Sequence, residues 1–374
     1  MPPQHPVETP DSRFAALRGP RPPQPYTARK ITALTANPAC SRRAVLDAAG
    51  VDKARLAQRM GHEPRFGQSP FALARERAFE ALVKWGGYAE LIRLLRERLD
   101  APVEEAAVAD LAEVGGDTSL ARRAKETRGL LARLASADEE RLILDRPVLT
   151  LEVAGQTAYL EPQALTHRVG GKFYVAEIRS FPVIDGQANP TAVAQTAKQA
   201  AVSVLALHRV FEELGLDRER IAHEFLLVCP EDFSNRPCGR LVDLRQELDA
   251  LRFQLTRLRR ADGLAAGLPP SATFDIGRDK DELDASVGAL DASYTPDCLS
   301  FCEMARYCRD EATACASPAR LGAVVRNTLP GVDSTRTALA YLEGVHPPGP
   351  AEAAAVDRLR AAERLRRLRR DGAA

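Results

Sequence analysis

The chain lacks any apolar run near the roughly 18 residues that a membrane span requires, which excludes an integral helical membrane protein. Its N-terminal stretch is proline-rich and polar, without the apolar h-region of a secretory signal. The expectation is a cytoplasmic protein. A charge surplus is missing too: 52 basic against 51 acidic residues leave a net +1. That excludes gripping nucleic acid by bulk charge alone, while leaving room for a local basic channel. No G-x-x-x-x-G-K-[ST] loop occurs, so the chain encodes no motor of that kind, and any unwinding must come from a partner. There is no internal repeat.

What is present is length and apolar content. The 374 residues, 45% hydrophobic, suffice for two domains or one large decorated one, with a core that needs no disulfides. Seven cysteines are present, an odd number with no secretion signal beside them. Disulfide scaffolding is disfavoured, and metal or cluster ligation gains weight.

Patterning divides the chain into five stretches. Residues 1–28, rich in proline and poor in apolar anchors, predict a disordered leader. Residues 29–140 predict a helical region that carries the first cysteine, with helical periodicity over 71–83, 88–99 and 120–134. Ser69 and Pro70 offer a helix cap and a first-turn proline. Residues 141–240 predict the core. Strands are expected at 148–153, 157–165 and 172–179, the last two joined by the Gly170-Gly171 turn. A helix over 190–214 and a buried strand at 224–229 follow. Residues 241–330 predict a helical and cysteine-bearing region, with a helix over 240–262 and a loop over 263–296. Residues 331–374 predict two helices, near 334–344 and 352–370. The fold class expected is α/β, a small mixed sheet flanked by helices.

Cys298, Cys302 and Cys308 stand in a C-x3-C-x5-C spacing, with Cys315 seven residues further on. Thiols this close can converge on one centre, as an iron–sulfur cluster or structural zinc needs. A cluster usually takes four thiolates; the fourth candidate is local Cys315 or distant Cys40. The segment has no paired C-x2-C knuckles and no nearby histidine, which favours a cluster over zinc. Cys229 and Cys238 read as buried small hydrophobes.

Glu161 and Glu177 each fall near the end of an expected strand, and hairpin neighbours can bring two such carboxylates to one end of a sheet. There they could hold Mg²⁺ or Mn²⁺, which would polarise a phosphate and acidify an attacking water. Arg179 shares a strand face with Glu177 and could stabilise phosphoryl charge. Gln195 and Gln199 share a helix face and could touch the attacking water or the DNA backbone. Glu80, on an earlier helix, could add a further carboxylate.

Together these residues resemble the RecB-like branch of the PD-(D/E)xK nuclease superfamily. The likeness is greatest to its iron–sulfur members, such as the CRISPR-adaptation exonucleases and the AddB helicase–nuclease. The resemblance covers about residues 37–310. It implies a [4Fe–4S] cluster on Cys40, Cys298, Cys302 and Cys308 that staples the ends of the domain. It implies an acid of the first core strand at Glu161, the (D/E)xK tripeptide at Glu177-Ile178-Arg179, a glutamine helix at Gln195 or Gln199, and an N-terminal acid at Glu80. The function implied is a metal-dependent DNase in repair, recombination or phage defence. The sequence departs from the family in three places. Glu161 stands for an aspartate, Arg179 for the lysine, and no tyrosine follows the glutamines at helical spacing.

Two other readings remain open. One is a catalytically inactive module of the same fold that binds DNA or a partner protein. The other is a zinc-binding helical scaffold, with Cys298, Cys302, Cys308 and Cys315 as a local site. Seven arginines lie between 358 and 370, interleaved with Leu359, Leu365 and Leu368. This amphipathic pattern suits nucleic acid, an acidic partner, a membrane surface or plain solvent, with DNA the natural choice for a nuclease.

Overall fold

The computed structural model describes residues 10–64, 70–99, 106–136, 142–169, 172–232, 234–258, 260–295, 298–318 and 323–371. The chain opens with α1 (Pro10–Arg18), α2 (Ala28–Thr35), α3 (Ser41–Ala48), α4 (Lys53–Arg59) and the long α5 (Pro70–Leu99). Then come β1 (Ala107–Asp110), α6 (Leu120–Ser136), β2 (Leu142–Asp145), β3 (Leu149–Val153), β4 (Gln156–Leu160), β5 (Ala164–Val169) and β6 (Lys172–Ile178). A small ribbon, β7 (Val183–Ile184) and β8 (Gln187–Ala188), precedes α7 (Pro190–Leu214), β9 (Ile221–Pro230), β10 (Pro237–Asp243) and α8 (Arg245–Thr256). The remainder is helical: α9 (Ala261–Ala266), α10 (Lys280–Gly288), α11 (Cys298–Phe301), α12 (Ala305–Ala314), α13 (Ala323–Thr328), α14 (Thr335–Glu343) and α15 (Ala353–Asp371). No helix among the described residues is long and apolar enough to cross a membrane.

Two compact units result. One holds residues 24–38 and 68–260, the other residues 1–23, 39–67 and 261–374. The first is a mixed six-stranded sheet flanked by helices, in the order β1-β2-β5-β6-β9-β10. β1 and β2 run parallel, as do β6 and β9; the other neighbours are antiparallel. The parallel β6–β9 pair requires a crossover, and α7 supplies it. β6 is apolar nearly throughout because both its faces are covered. Tyr174, Ala176 and Ile178 pack with Phe79, Val83 and Leu91 of α5. On the opposite face Phe173 meets Phe211 of α7 edge to face, with centroids 5.2 Å apart.

α7 starts and stops where its sequence says it should. Asn189 accepts from the amides of Thr191 and Ala192, Pro190 occupies the first turn, and Gly215 closes the helix at φ 68°. Its buried face is rich in small residues, Ala197, Ala200, Ala201 and Val204, which lets the helix lie close on the sheet. α5 is broken in the middle. Gly86 and Gly87 take left-handed φ values of 64° and 70°, followed by Tyr88 at 66°. The break lets the first half carry charged side chains to the end of the sheet while the second half sends Leu91, Leu94 and Leu95 into the core.

Several expectations are corrected. The strand expected over 157–165 is two strands, β4 and β5, separated by Glu161-Pro162-Gln163. β4 pairs with β3 in a separate ribbon and does not lie beside β6. β1 interrupts the expected helical stretch, β10 occupies the start of the helix expected over 240–262, and the loop expected over 263–296 contains α9 and α10. The expected leader contains α1: Phe14 and Leu17, one turn apart, are buried, and the Phe274 amide donates to the Leu17 carbonyl at 2.6 Å. Two apolar residues at i and i+3 were enough to dock a short helix. Residues 1–9 and the Gly170-Gly171 turn lie outside the described residues. The division into units falls near residue 260 and groups residues 39–67 with residues 261–374.

A half-buried histidine on α7 offers a test of this packing. Burial lowers the pKa of His208 from its ordinary 6.5 to about 4, with Arg252 and Arg218 adding to the effect and Glu212 opposing it. Below pH 6.5 the unfolded chain binds a proton that the folded chain refuses, so this contribution to stability falls as pH drops toward 4. His208→Gln should lessen that decline, read as the difference between the two proteins in denaturant midpoints from pH 7 to pH 4.

Candidate functional site

A charged cluster gathers at one end of the sheet. Residues 76, 80 and 84 recur every four positions on the first half of α5, so they share a helix face. Lys84 Nζ lies between Glu80 Oε1 at 2.5 Å and Asp145 Oδ1 at 2.7 Å, the latter at the end of β2. Glu177 occupies the last turn of the pleat in β6 and is only 5% exposed. Arg179, two residues on, places Nη2 at 2.8 Å from Glu177 Oε2 and Nη1 at 3.5 Å from Glu76 Oε1. From α7, Gln199 Oε1 accepts from the same guanidinium at 3.2 Å. Burial pushes the Glu177 carboxyl above its usual range; Arg179 opposes that rise, and Glu76 and Glu80 add to it. Arg146 adds a third cation, its Nε 3.8 Å from Asp145 Oδ2, so four carboxylates stand against three cations and the group is formally at −1.

The expected site residues divide accordingly. Glu177, Arg179, Gln199 and Glu80 come together. Gln195 is exposed one turn earlier on α7. Glu161 does not join them: it pairs with Arg123 at 2.5 Å, and Arg123 in turn donates to the carbonyls of Leu111 and Arg146. The place opposite Glu177, one residue beyond the Ala164–Ala176 pair, belongs to Gln163, whose side-chain oxygen accepts the Ile178 amide. Glu161 goes elsewhere because Pro162 ends β4 before β5 begins. Glu76, Lys84 and Asp145 were missed by sequence reasoning. The four-residue spacing of Glu76, Glu80 and Lys84 was the available signal; for Asp145 there was only its place at the end of a short apolar strand.

The cysteines form a second centre, in the other unit. Cys40 caps α3, Cys298 opens α11, Cys302 follows it, and Cys308 lies on α12. All four are buried, whereas Cys315 is exposed. Burial pushes Cys302 up to about 11, with Arg43 and Lys53 opposing the rise and Cys40 adding to it. Cys308 is pushed up to about 12 by burial, with Arg42 opposing and Cys302 and Cys40 adding. Cys40 therefore keeps company with Cys302 and Cys308 across a long stretch of sequence. Among the described residues, no group of three or more His, Cys, Asp or Glu side chains is placed to hold a metal ion. The donor chemistry nonetheless fits a cluster: four buried sulfurs, with three buried cations to offset the charge of thiolate ligands. Cys229 and Cys238 face one another across the β9–β10 ladder as free thiols, and burial drives Cys229 to about 12.

Part of the basic C-terminal helix is engaged within its own unit. Arg358 and Arg360 donate to the carbonyls of Thr328 and Tyr341, and Arg366 and Arg367 pair with Glu363. Leu365 and Leu368 are exposed. Comparison with family models, with curated proteins and with solved structures found no match.

Because the folded state raises the Glu177 pKa, the charged form costs stability at neutral pH. Glu177→Gln should stabilise the metal-free protein at pH 7. The gain should vanish as pH falls below the ordinary carboxyl range, where the glutamate is protonated in both states. Thermal melts in chelator at pH 7 and pH 4 check this; equal melting temperatures for the two proteins at pH 7 would contradict it.

Proposed function

We propose that the protein is a metal-dependent DNA nuclease of the RecB-like PD-(D/E)xK type, carrying a structural [4Fe–4S] cluster. The observation that carries this reading is the pair of buried Glu177 and half-buried Arg179 at the end of β6, with Glu76 against the guanidinium and Glu80 near the Glu177 carboxyl. The succession β5, β6, α7, β9, with the tripeptide at the end of the central strand and a glutamine from the crossover helix, supports it.

Glu177, with Glu80 near it, would hold a divalent cation. The chemistry such a cation supplies is polarisation of the scissile phosphate and acidification of the attacking water. The residues of the chain do the rest. Arg179 presents a planar fork that can stabilise charge developing on the phosphoryl oxygens. Gln199 and Glu76 fix the plane of that fork. Lys84 screens Glu80 from Asp145, two carboxylates that would otherwise repel. Cys40, Cys298, Cys302 and Cys308 would ligate the cluster, whose role is to tie the Cys40 segment to residues 298–308. DNA is the substrate in this reading, and a separate helicase is the natural partner.

A non-cutting module of the same fold is the second reading, favoured by the engagement of Arg179 with Glu177, Glu76 and Gln199, which leaves its fork little freedom. Protein purified without oxygen should be brown and contain about four irons with matching sulfide. Cys40→Ser should lose them while Cys315→Ser keeps them. Mn²⁺-dependent cleavage of single- or double-stranded DNA should fall by at least about a hundredfold in Glu177→Ala and change little in Glu161→Ala. Cleavage that survives Glu177→Ala would overturn the site. An iron-bearing protein that binds DNA without cutting it would establish the second reading.

A further inference from the structure

All five N–H donors of the Arg42 guanidinium have acceptors. This side chain, the second residue of α3, is 1% exposed. Its Nε donates to the Val287 carbonyl at 3.0 Å. Nη2 donates to the Leu290 carbonyl at 3.1 Å and to Glu311 Oε1 at 2.9 Å. Nη1 donates to Glu311 Oε2 at 2.9 Å and, with its last hydrogen, to Cys308 Sγ at 3.2 Å. The guanidinium lies over the Tyr307 ring at 5.2 Å.

Two carbonyls and a bidentate carboxylate fix the plane of the fork. The fifth donor is thereby aimed at sulfur, a weak acceptor as a thiol and a far better one as a thiolate ligand. Lysine carries comparable charge but no rigid fork, so it could not serve four anchors and a sulfur together. The neighbouring cations are arranged otherwise. Arg43 and Lys53 both pair with the buried Asp47, and neither donates a hydrogen bond to sulfur among the described residues.

We propose that Arg42 is a positioning residue of the cysteine centre: its hydrogen bond to Cys308 Sγ orients that ligand, helps retain the cluster and raises its reduction potential. This rests on the cluster assigned above. A donor on a ligand sulfur stabilises the reduced, more negative form of a cluster, so removing it lowers the potential. A ligand freed from its outer partner also exchanges more readily.

The test compares wild type, Arg42→Lys and Arg42→Gln, purified without oxygen, with circular dichroism as the check on folding. Iron and sulfide content, the rate of iron removal by a chelator, and the midpoint potential from a redox titration followed by electron paramagnetic resonance are measured on each. Arg42→Lys should fold and take up iron, lose it about tenfold faster or more, and show a lower potential. Arg42→Gln should show a larger change in the same direction. Folded variants with the wild-type removal rate and potential would overturn the proposal while leaving the cluster in place. Failure of Arg42→Lys to fold would make Arg42 a structural strut and overturn it too. Wild-type protein without iron would remove the cluster itself, and the proposal with it.

Discussion

Charge withdrawn from water is the constraint on which both centres depend. An ionised group inside a protein is tolerated only where partners replace its lost hydration. For the Glu177 carboxyl, burial opposes the charge and Arg179 favours it, and the neighbourhood follows from that contest. The guanidinium of Arg179 must sit against that carboxyl, which orients the end of β6 toward α7 and recruits Gln199. That guanidinium also draws in Glu76, and the rest of the same helix face brings Glu80 and Lys84 to Asp145. The break in α5 gives the half that carries Glu76, Glu80 and Lys84 a direction of its own, apart from the half that carries Leu91, Leu94 and Leu95.

The cysteine-bearing unit meets the same problem with the signs reversed. Arg42, Arg43 and Lys53 are buried cations, and their carboxylate partners lie at different depths. The Asp47 side chain is fully enclosed between Arg43 and Lys53, while Glu303 and Glu311 remain 28% and 22% exposed. Arg42 and Lys53 are thus more deeply buried than the outer carboxylates they pair with, and the cations lower the cost of ionising Cys302 and Cys308. A thiol raised by burial to about 11 or 12 is protonated at neutral pH, so any metal must displace that proton. The three cations reduce that cost without removing it, which is what a site loaded once and then kept closed requires. Losing Arg43 or Lys53 would leave Asp47 buried with a single counter-charge, a more damaging change than losing an exposed ion pair.

What could be read from sequence follows the range of the interaction involved. α7 was legible, from Pro190 to about Leu214, because a long stretch rich in Ala and Val begins at a proline; Asn189 and Gly215, which bound it in the structure, are equally local. The mixed sheet was legible as a class because β6 and β9 are apolar and the connection between them is long enough for a crossover. β1 and β10 were not. Both carry polar or small residues and owe their existence to a neighbouring strand, a dependence that no short window contains. Glu177, Arg179, Gln199 and Glu80 were legible through spacing and company. Glu161 misled because one apolar stretch concealed a strand end: Pro162 divides it, and the two-residue difference between Glu161 and Gln163 decides which side chain stands beside Glu177.

Arginine at position 179 and lysine at position 84 do different work in the charged group at the end of the sheet. A lysine at position 179 would offer one compact charge, able to neutralise Glu177 but not to bridge Glu76 and Gln199 as well. The arginine does all three through a planar fork. A compact ammonium stands on α5, where Lys84 separates Glu80 from Asp145. The group thus contains one fork and one point charge, set on different elements and each matched to the geometry of its carboxylates. Such a division ties the two halves of the site to α5: the helix that supplies Glu76 to the fork also supplies the ammonium to β2. Whatever disturbs the Gly86-Gly87 break would therefore shift Glu76 from Arg179 and Lys84 from Asp145 at once, whereas a substitution in β6 alone would leave the Lys84 contacts standing.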